Sequence, residues 1–304
     1  MKKTVRTLVV ALLIATPLWA LPGIAGAANN PSRVLTITPA TTKPVIKPGE
    51  SIHGSFQVLN QGSEGYPVLV YAAPYAVHSE DYTPDFTPIP GKLNASSWLE
   101  FGAAKTSIAA NETLDISYTI TVPQDAKPGG YYAVAFAETR SPATGQGVVV
   151  NERVGEIFYI QVAGPVKQTG KLLTWSSKFL QQQPLIATLR LENDGSLDYA
   201  SNIHIVIRDL FGQPKYALTT SKEVLPQAIR RIPINWDAAP TLGLFKVTGT
   251  ITIPGNTQAL RTRYVLVASP AARIVSITLA GMLLAYGAGK QIVRHRQRAK
   301  AKAA

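Results

Sequence analysis

From residue 34 to about residue 267, apolar and polar positions alternate in short runs, most clearly at 56–59, 68–71, 114–120 and 132–136. A period of two, rich in β-branched and aromatic residues and broken by Gly, Pro and Asn, predicts strands. No part of this region sustains a helical period, so the expected class is all-β. Two apolar stretches lie outside it. Residues 8–19 follow Lys2, Lys3 and Arg6 and precede Ala25-Gly26-Ala27, the three parts of a secretory signal peptide over 1–27. Residues 274–289 lie between Arg273 and Lys290, and their apolar side chains cover every face of a helix. With snorkelling flanks this predicts a transmembrane helix over 271–290.

The alternating region also carries a degenerate repeat. Phe56-Gln57-Val58-Leu59-Asn60-Gln61-Gly62 is answered by Leu189-Arg190-Leu191-Glu192-Asn193-Asp194-Gly195, and Gly130-Tyr131-Tyr132 by Gly243-Leu244-Phe245. Asn and Gly tolerate the left-handed conformations that strand-to-strand turns demand. The pattern predicts two Ig-like antiparallel β-sandwich domains, at 34–163 and 171–268, after a lead-in at 28–33 and joined by a linker at 164–170. Recurrent turn chemistry without duplication is the competing explanation of the repeat.

The net charge of +12 is concentrated at the ends. Residues 290–304 hold six basic side chains and no acid, and the first six residues hold three. Removing these nine leaves 21 basic residues against 18 acidic, so the excess sits beside the apolar segments. There it sets orientation, with the chain outside and the 291–304 tail in the cytoplasm, and no nucleic-acid partner is expected. Cysteine is absent, which removes disulfides and thiol chemistry. The four histidines share no metal-ligand spacing, and no nucleophile elbow, metalloprotease helix or phosphate loop occurs. No metal, cofactor or catalytic activity is expected.

Lys47-Pro48-Gly49-Glu50, Phe56-x-Val58-x-Asn60, Val70-Tyr71 and Asp81-Tyr82 are followed by Ser97-Trp98-Leu99-Glu100-Phe101, Thr121-Val122-Pro123 and Ala126-Lys127-Pro128-Gly129-Gly130-Tyr131-Tyr132. In this order they resemble the WxL-interacting protein family of bacterial surface proteins. The likeness covers most of 40–163 by motif and the remainder by architecture. It implies two Ig-like domains, a membrane helix with a basic tail, contact of the first domain with peptidoglycan and of the second with surface partners.

The segment between Tyr71 and Trp98 is long for a sandwich connection, and long connections often carry binding. Its Tyr75, Asp81, Tyr82, Asp85 and Phe86 set rings beside carboxylates, a combination suited to sugar faces and hydroxyls. The competing reading has the rings cover a sandwich edge while Asp81 or Asp85 caps a turn. Ala126 to Gly130 forms either a type II turn launching a strand or a ligand-facing loop. Trp98 is expected in a strand, within the core. The function expected is a non-catalytic, membrane-anchored cell-surface protein, binding or adhering to cell-wall glycan (peptidoglycan) or a surface protein, with the lipid bilayer holding its helix. The alternative is a membrane-held chaperone or scaffold that assembles surface proteins by strand addition.

Overall fold

The computed structural model describes residues 34–88, 93–140 and 151–303, with side chains as far as 291. The segments expected as signal peptide and lead-in lie outside the described residues. The first half contains β1 (Leu35–Thr38), β2 (Thr41–Thr42), β3 (Val45–Ile46), β4 (Ser51–Asn60), β5 (Tyr66–Pro74), β6 (Ala76–Val77), β7 (Pro84–Asp85), β8 (Leu99–Phe101), β9 (Lys105–Ile108), β10 (Thr113–Thr121), β11 (Gly129–Thr139) and β12 (Arg153–Val162). The second contains β13 (Lys171–Ser176), β14 (Leu180–Gln181), β15 (Leu185–Asn193), β16 (Tyr199–Arg208), β17 (Pro214–Val224), β18 (Ala228–Trp236), β19 (Leu242–Ile253) and β20 (Asn256–Ala268).

These strands build two pairs of facing sheets. In the first pair β1-β4-β10-β8 opposes β2-β12-β11-β5-β9, with β3 also beside β12. In the second, β13-β15-β18 opposes β14-β20-β19-β16-β17. Each pair closes on its own core, Phe56, Ile120, Phe158 and Ile160 in one and Leu189, Ile203, Ile205 and Val265 in the other. Strand β10 shows how the alternation works: Ile116, Tyr118 and Ile120 are buried while Asp115 and Ser117 face water. Each such buried side chain contributes about 1.5–3 kcal/mol.

Strand β11 departs from this pattern, because Tyr132, Val134 and Phe136 are buried on its outer face as well as Ala133, Ala135 and Ala137 on its inner face. A strand covered on both sides reads as a continuous apolar run. What covers the outer face is the long segment after β5 together with the second sandwich. Trp98 is in the core as expected, its ring 4.5 Å from Tyr131, but it sits in a 3-10 turn, Ser96–Trp98. The chain bends there because Asn94 Oδ1 accepts from Ser96 N at 2.8 Å and Ala95 N donates to Tyr132 O at 3.1 Å.

One residue, Ser269, separates β20 from helix α1 (Pro270–Ala303). Its apolar part, Pro270–Gln291, has 22 residues with a mean hydropathy of 1.5 and none buried. At 1.5 Å per residue it reaches about 33 Å, enough for a hydrocarbon core of about 30 Å. The helix does not stop at the basic tail but runs on through it to Ala303.

Candidate functional site

The chain leaves the first sandwich at Pro74, and β6 pairs with β7 in a small hairpin. Asp85 shapes its base: Oδ1 accepts from Thr87 N at 2.8 Å and from Thr87 Oγ1 at 2.7 Å, and the carboxyl also pairs with His78. Those bonds from Thr87 hold its carboxyl below the ordinary carboxylate range. The hairpin tip lands on the second sandwich. Tyr82, at φ 60°, accepts a hydrogen bond from Leu225 N at 2.6 Å through its hydroxyl, and the Arg230 guanidinium lies 4.0 Å over its ring. Glu80 accepts from Arg190 Nε at 2.7 Å and Nη2 at 2.5 Å, a fork that keeps its carboxyl below its usual value. The Glu80 carbonyl accepts from Arg231 N at 2.6 Å, and Arg231 Nη1 stands 3.5 Å from Asp81.

Beneath the hairpin, Val77, Tyr132, Tyr159 and Leu225 form an apolar cluster between the sandwiches, with Tyr75 and Tyr82 packed on it. Tyr75 meets Tyr159 edge-on at 6.2 Å and Phe86 at 6.5 Å, while Phe86 meets Phe136 edge-on at 4.9 Å. The small hollow beside them, 50 Å³, is bordered by Tyr75, Tyr132 and Leu225.

A second set of contacts closes the other side. Gly130 N donates to Ser196 O at 2.8 Å. The Tyr132 hydroxyl donates to Asp198 Oδ1 at 2.8 Å and accepts from Asp198 N at 3.2 Å. Lys43, between β2 and β3, donates to Glu223 Oε1 at 2.7 Å, stands 3.8 Å from Asp198 and lies 4.8 Å over the Tyr159 ring. Burial raises the Asp198 carboxyl, opposed by the Tyr132 hydroxyl and Lys43, and the same burial raises the Tyr132 phenol.

The structure therefore brings Tyr75, Tyr82 and Phe86 together, sets Asp81 at their rim and gives Asp85 to a turn. Tyr82 and Tyr75 face the chain's own second sandwich at Leu225, whereas Phe86 lies on Phe136 and under Arg153 of the first. Lys43, Arg190, Asp198, Glu223 and Leu225 complete the joint, and none of them was among the candidate binding residues of the sequence. Lys43 and Glu223 are 180 positions apart, and no local pattern connects them. Among the described residues there is no group of three or more His, Asp or Glu able to hold a metal. The arrangement acts mechanically, since a hinge motion between the sandwiches breaks a buried Tyr–Asp pair and a bidentate Arg–Glu pair together.

Above the joint runs the edge of β12. Its inner side pairs with β11 from Arg153 to Val162. On its outer side β2 covers Ile157 and Phe158, and β3 covers Gln161 and Val162. Residues 153–156 have no outer strand partner among the described residues. Ile157 N donates outward to Ala40 O, so by the two-residue alternation of the strand the N–H groups of Arg153 and Gly155 also point outward.

No protein-family model matches the chain, and no curated protein matches it. Solved structures similar to it include the class 5 fimbriae chaperone CfaA, at 12% identity and a TM-score of 0.40, covering 78% of this chain and 100% of that one. The YadV chaperone, at 12% identity and 0.41, covers 76% and 99%. A third is the CsuC-CsuE chaperone-tip adhesion subunit pre-assembly complex from the archaic chaperone-usher Csu pili of Acinetobacter baumannii, at 13% identity and 0.41, covering 75% and 97%. Likenesses this distant carry no argument about what the chain does.

Proposed function

We propose that this protein is a non-catalytic, membrane-tethered scaffold of two Ig-like domains that receives an extended segment of another surface protein as an added strand along β12. The observation that carries this reading is the outer edge at residues 153–156, which has no strand partner among the described residues and where two backbone N–H groups point away from the sheet. An unpaired edge is a ready template for a strand. The locked joint and the single residue between β20 and α1 add to the case, because together they hold the edge at a set distance from the bilayer. The order of parts is also the one that the resemblance to WxL-interacting proteins implies.

The test uses the full chain isolated from its own membranes with the surface proteins that accompany it. Arg153→Ala removes a side chain and keeps the outward N–H, whereas Arg153→Pro removes both, at a strand's first residue where proline is tolerated. Partner retained by R153A and lost by R153P is the expected result. Equal retention, or equal loss, overturns the edge reading.

A further inference from the structure

The large apolar side chains exposed on the second sandwich gather at one end. Phe179, Leu180, Leu210, Phe211 and Leu242 are all solvent-facing, Phe211 at 89% and Leu210 at 67%. The strand register places them. Leu242 pairs with Ala268, the last residue of β20, and Leu180 pairs with Leu266. Arg208 pairs with Lys246, so the β16–β17 turn beyond it extends toward the level of Leu242. These three turns surround the point where α1 leaves the sandwich.

Two features hold the apolar tips in place. Asp209 Oδ1 accepts from Phe211 N and Gln213 N, each at 2.9 Å, so the turn is braced with Leu210 and Phe211 outside it. The helix is tied as well: Ser269 Oγ accepts from Ala272 N at 3.2 Å, and Arg273 Nε donates to Ala268 O at 2.9 Å. The direction of α1 relative to the three turns is thereby set.

Charge at this end is mainly positive. Lys178, Arg208, Lys246 and Arg273 lie there, against Asp237 and an Asp209 already paired with Lys215 at 3.2 Å. Lys178 and Arg273 border a hollow of 640 Å³ whose walls include Leu180 and Ile186. Solvent-exposed Phe and Leu at turn tips are costly in water and favourable at a lipid interface, and nearby cations add attraction to anionic headgroups.

We propose that this end of the second sandwich inserts into the interface of an anionic phospholipid bilayer, with Phe179, Leu180, Leu210, Phe211 and Leu242 at headgroup depth and Lys178 and Arg273 against lipid phosphate. The inference rests on the reading of α1 as a membrane span. It makes the sandwich stand on the membrane in one orientation.

The full chain has no cysteine, so single cysteines at Leu180, Phe211, Asn256 and Leu283 can each carry a nitroxide label. The labelled chains are placed in vesicles of phosphatidylcholine, alone or mixed with phosphatidylglycerol. The expected result is that L180C and F211C are shielded from a polar nickel complex several-fold more than N256C, which lies in the opposite turn, and more so with phosphatidylglycerol. L180C and F211C as open as N256C in both vesicles, with L283C buried in lipid, overturn the inference and leave the membrane span standing. An L283C label open to nickel overturns the span itself.

Discussion

Three hydrogen bonds made by Asn60 in the first sandwich recur at Asn193 in the second. Asn60 Oδ1 accepts from Gly62 N, and its Nδ2 donates to Glu64 O and Ala109 O. Asn193 Oδ1 accepts from Gly195 N, and its Nδ2 donates to Leu197 O and Val224 O. Each side chain is buried and ties the turn after a core strand to a second, distant loop. Asn60→Ala and Asn193→Ala each strand several polar groups, and each is expected to cost about 2–4 kcal/mol in urea unfolding.

The second echo in the sequence has a packing cause. A Cβ on Gly243 would stand 2.7 Å from the Phe245 ring, and one on Gly130 would overlap the Tyr132 hydroxyl. In both sandwiches the ring two residues on folds back over the glycine. Gly243→Ala is expected to cost about 1–3 kcal/mol by overpacking. Gly281→Ala, in α1 with no atom near the added carbon, serves as the silent control.

Glu156 predicts a pH dependence. It is fully buried on β12, Oε1 accepts from Thr42 Oγ1 at 2.5 Å, and Oε2 has no partner among the described residues. Burial pushes its carboxyl up to about 7 from an ordinary 4.5. A raised acid favours the folded state when protonated, so stability is fullest below pH 4.5 and falls as pH rises toward 7. The loss levels off near about 3 kcal/mol. Glu156→Gln is expected to remove this slope and to melt higher than the parent above pH 7.

The joint is tested by Tyr82→Phe, which keeps the ring but leaves Leu225 N without its acceptor. The cost is about 1 kcal/mol, and it should appear as faster proteolysis within 164–170. Tyr71→Phe removes a hydroxyl that bonds Glu138 inside the first sandwich, and should leave that rate unchanged.

Most strands were legible because alternation is a local signal. β4 and β10 bury one face and leave the other largely to water, which is what a period of two encodes. The Asn-x-Gly turns fall where the repeat places them, but their Asn and Gly are not left-handed as expected; the asparagine side chain bonds the backbone two residues on instead. Trp98 was placed in the core correctly but in the wrong element, because the bonds from Asn94 and Ala95 that bend the chain depend on Tyr132 of β11. The chemistry of Tyr75, Tyr82 and Phe86 was visible, but not what the rings face.

Residue types and their spacing alone carried the all-β class, the apolar C-terminal helix and the lack of thiol chemistry, because each depends on composition or on neighbours within a few positions. Tertiary structure decided the rest: that Glu80 meets Arg190, Tyr132 meets Asp198 and Lys43 meets Glu223, that residues 153–156 of β12 have no outer strand partner among the described residues, and that Phe179, Phe211 and Leu242 lie at the end of the sandwich where the helix leaves. Those pairs are 66 to 180 positions apart. Charges and rings at such separations have no fixed mutual geometry until sheet register and the packing of one sandwich on the other set their distances.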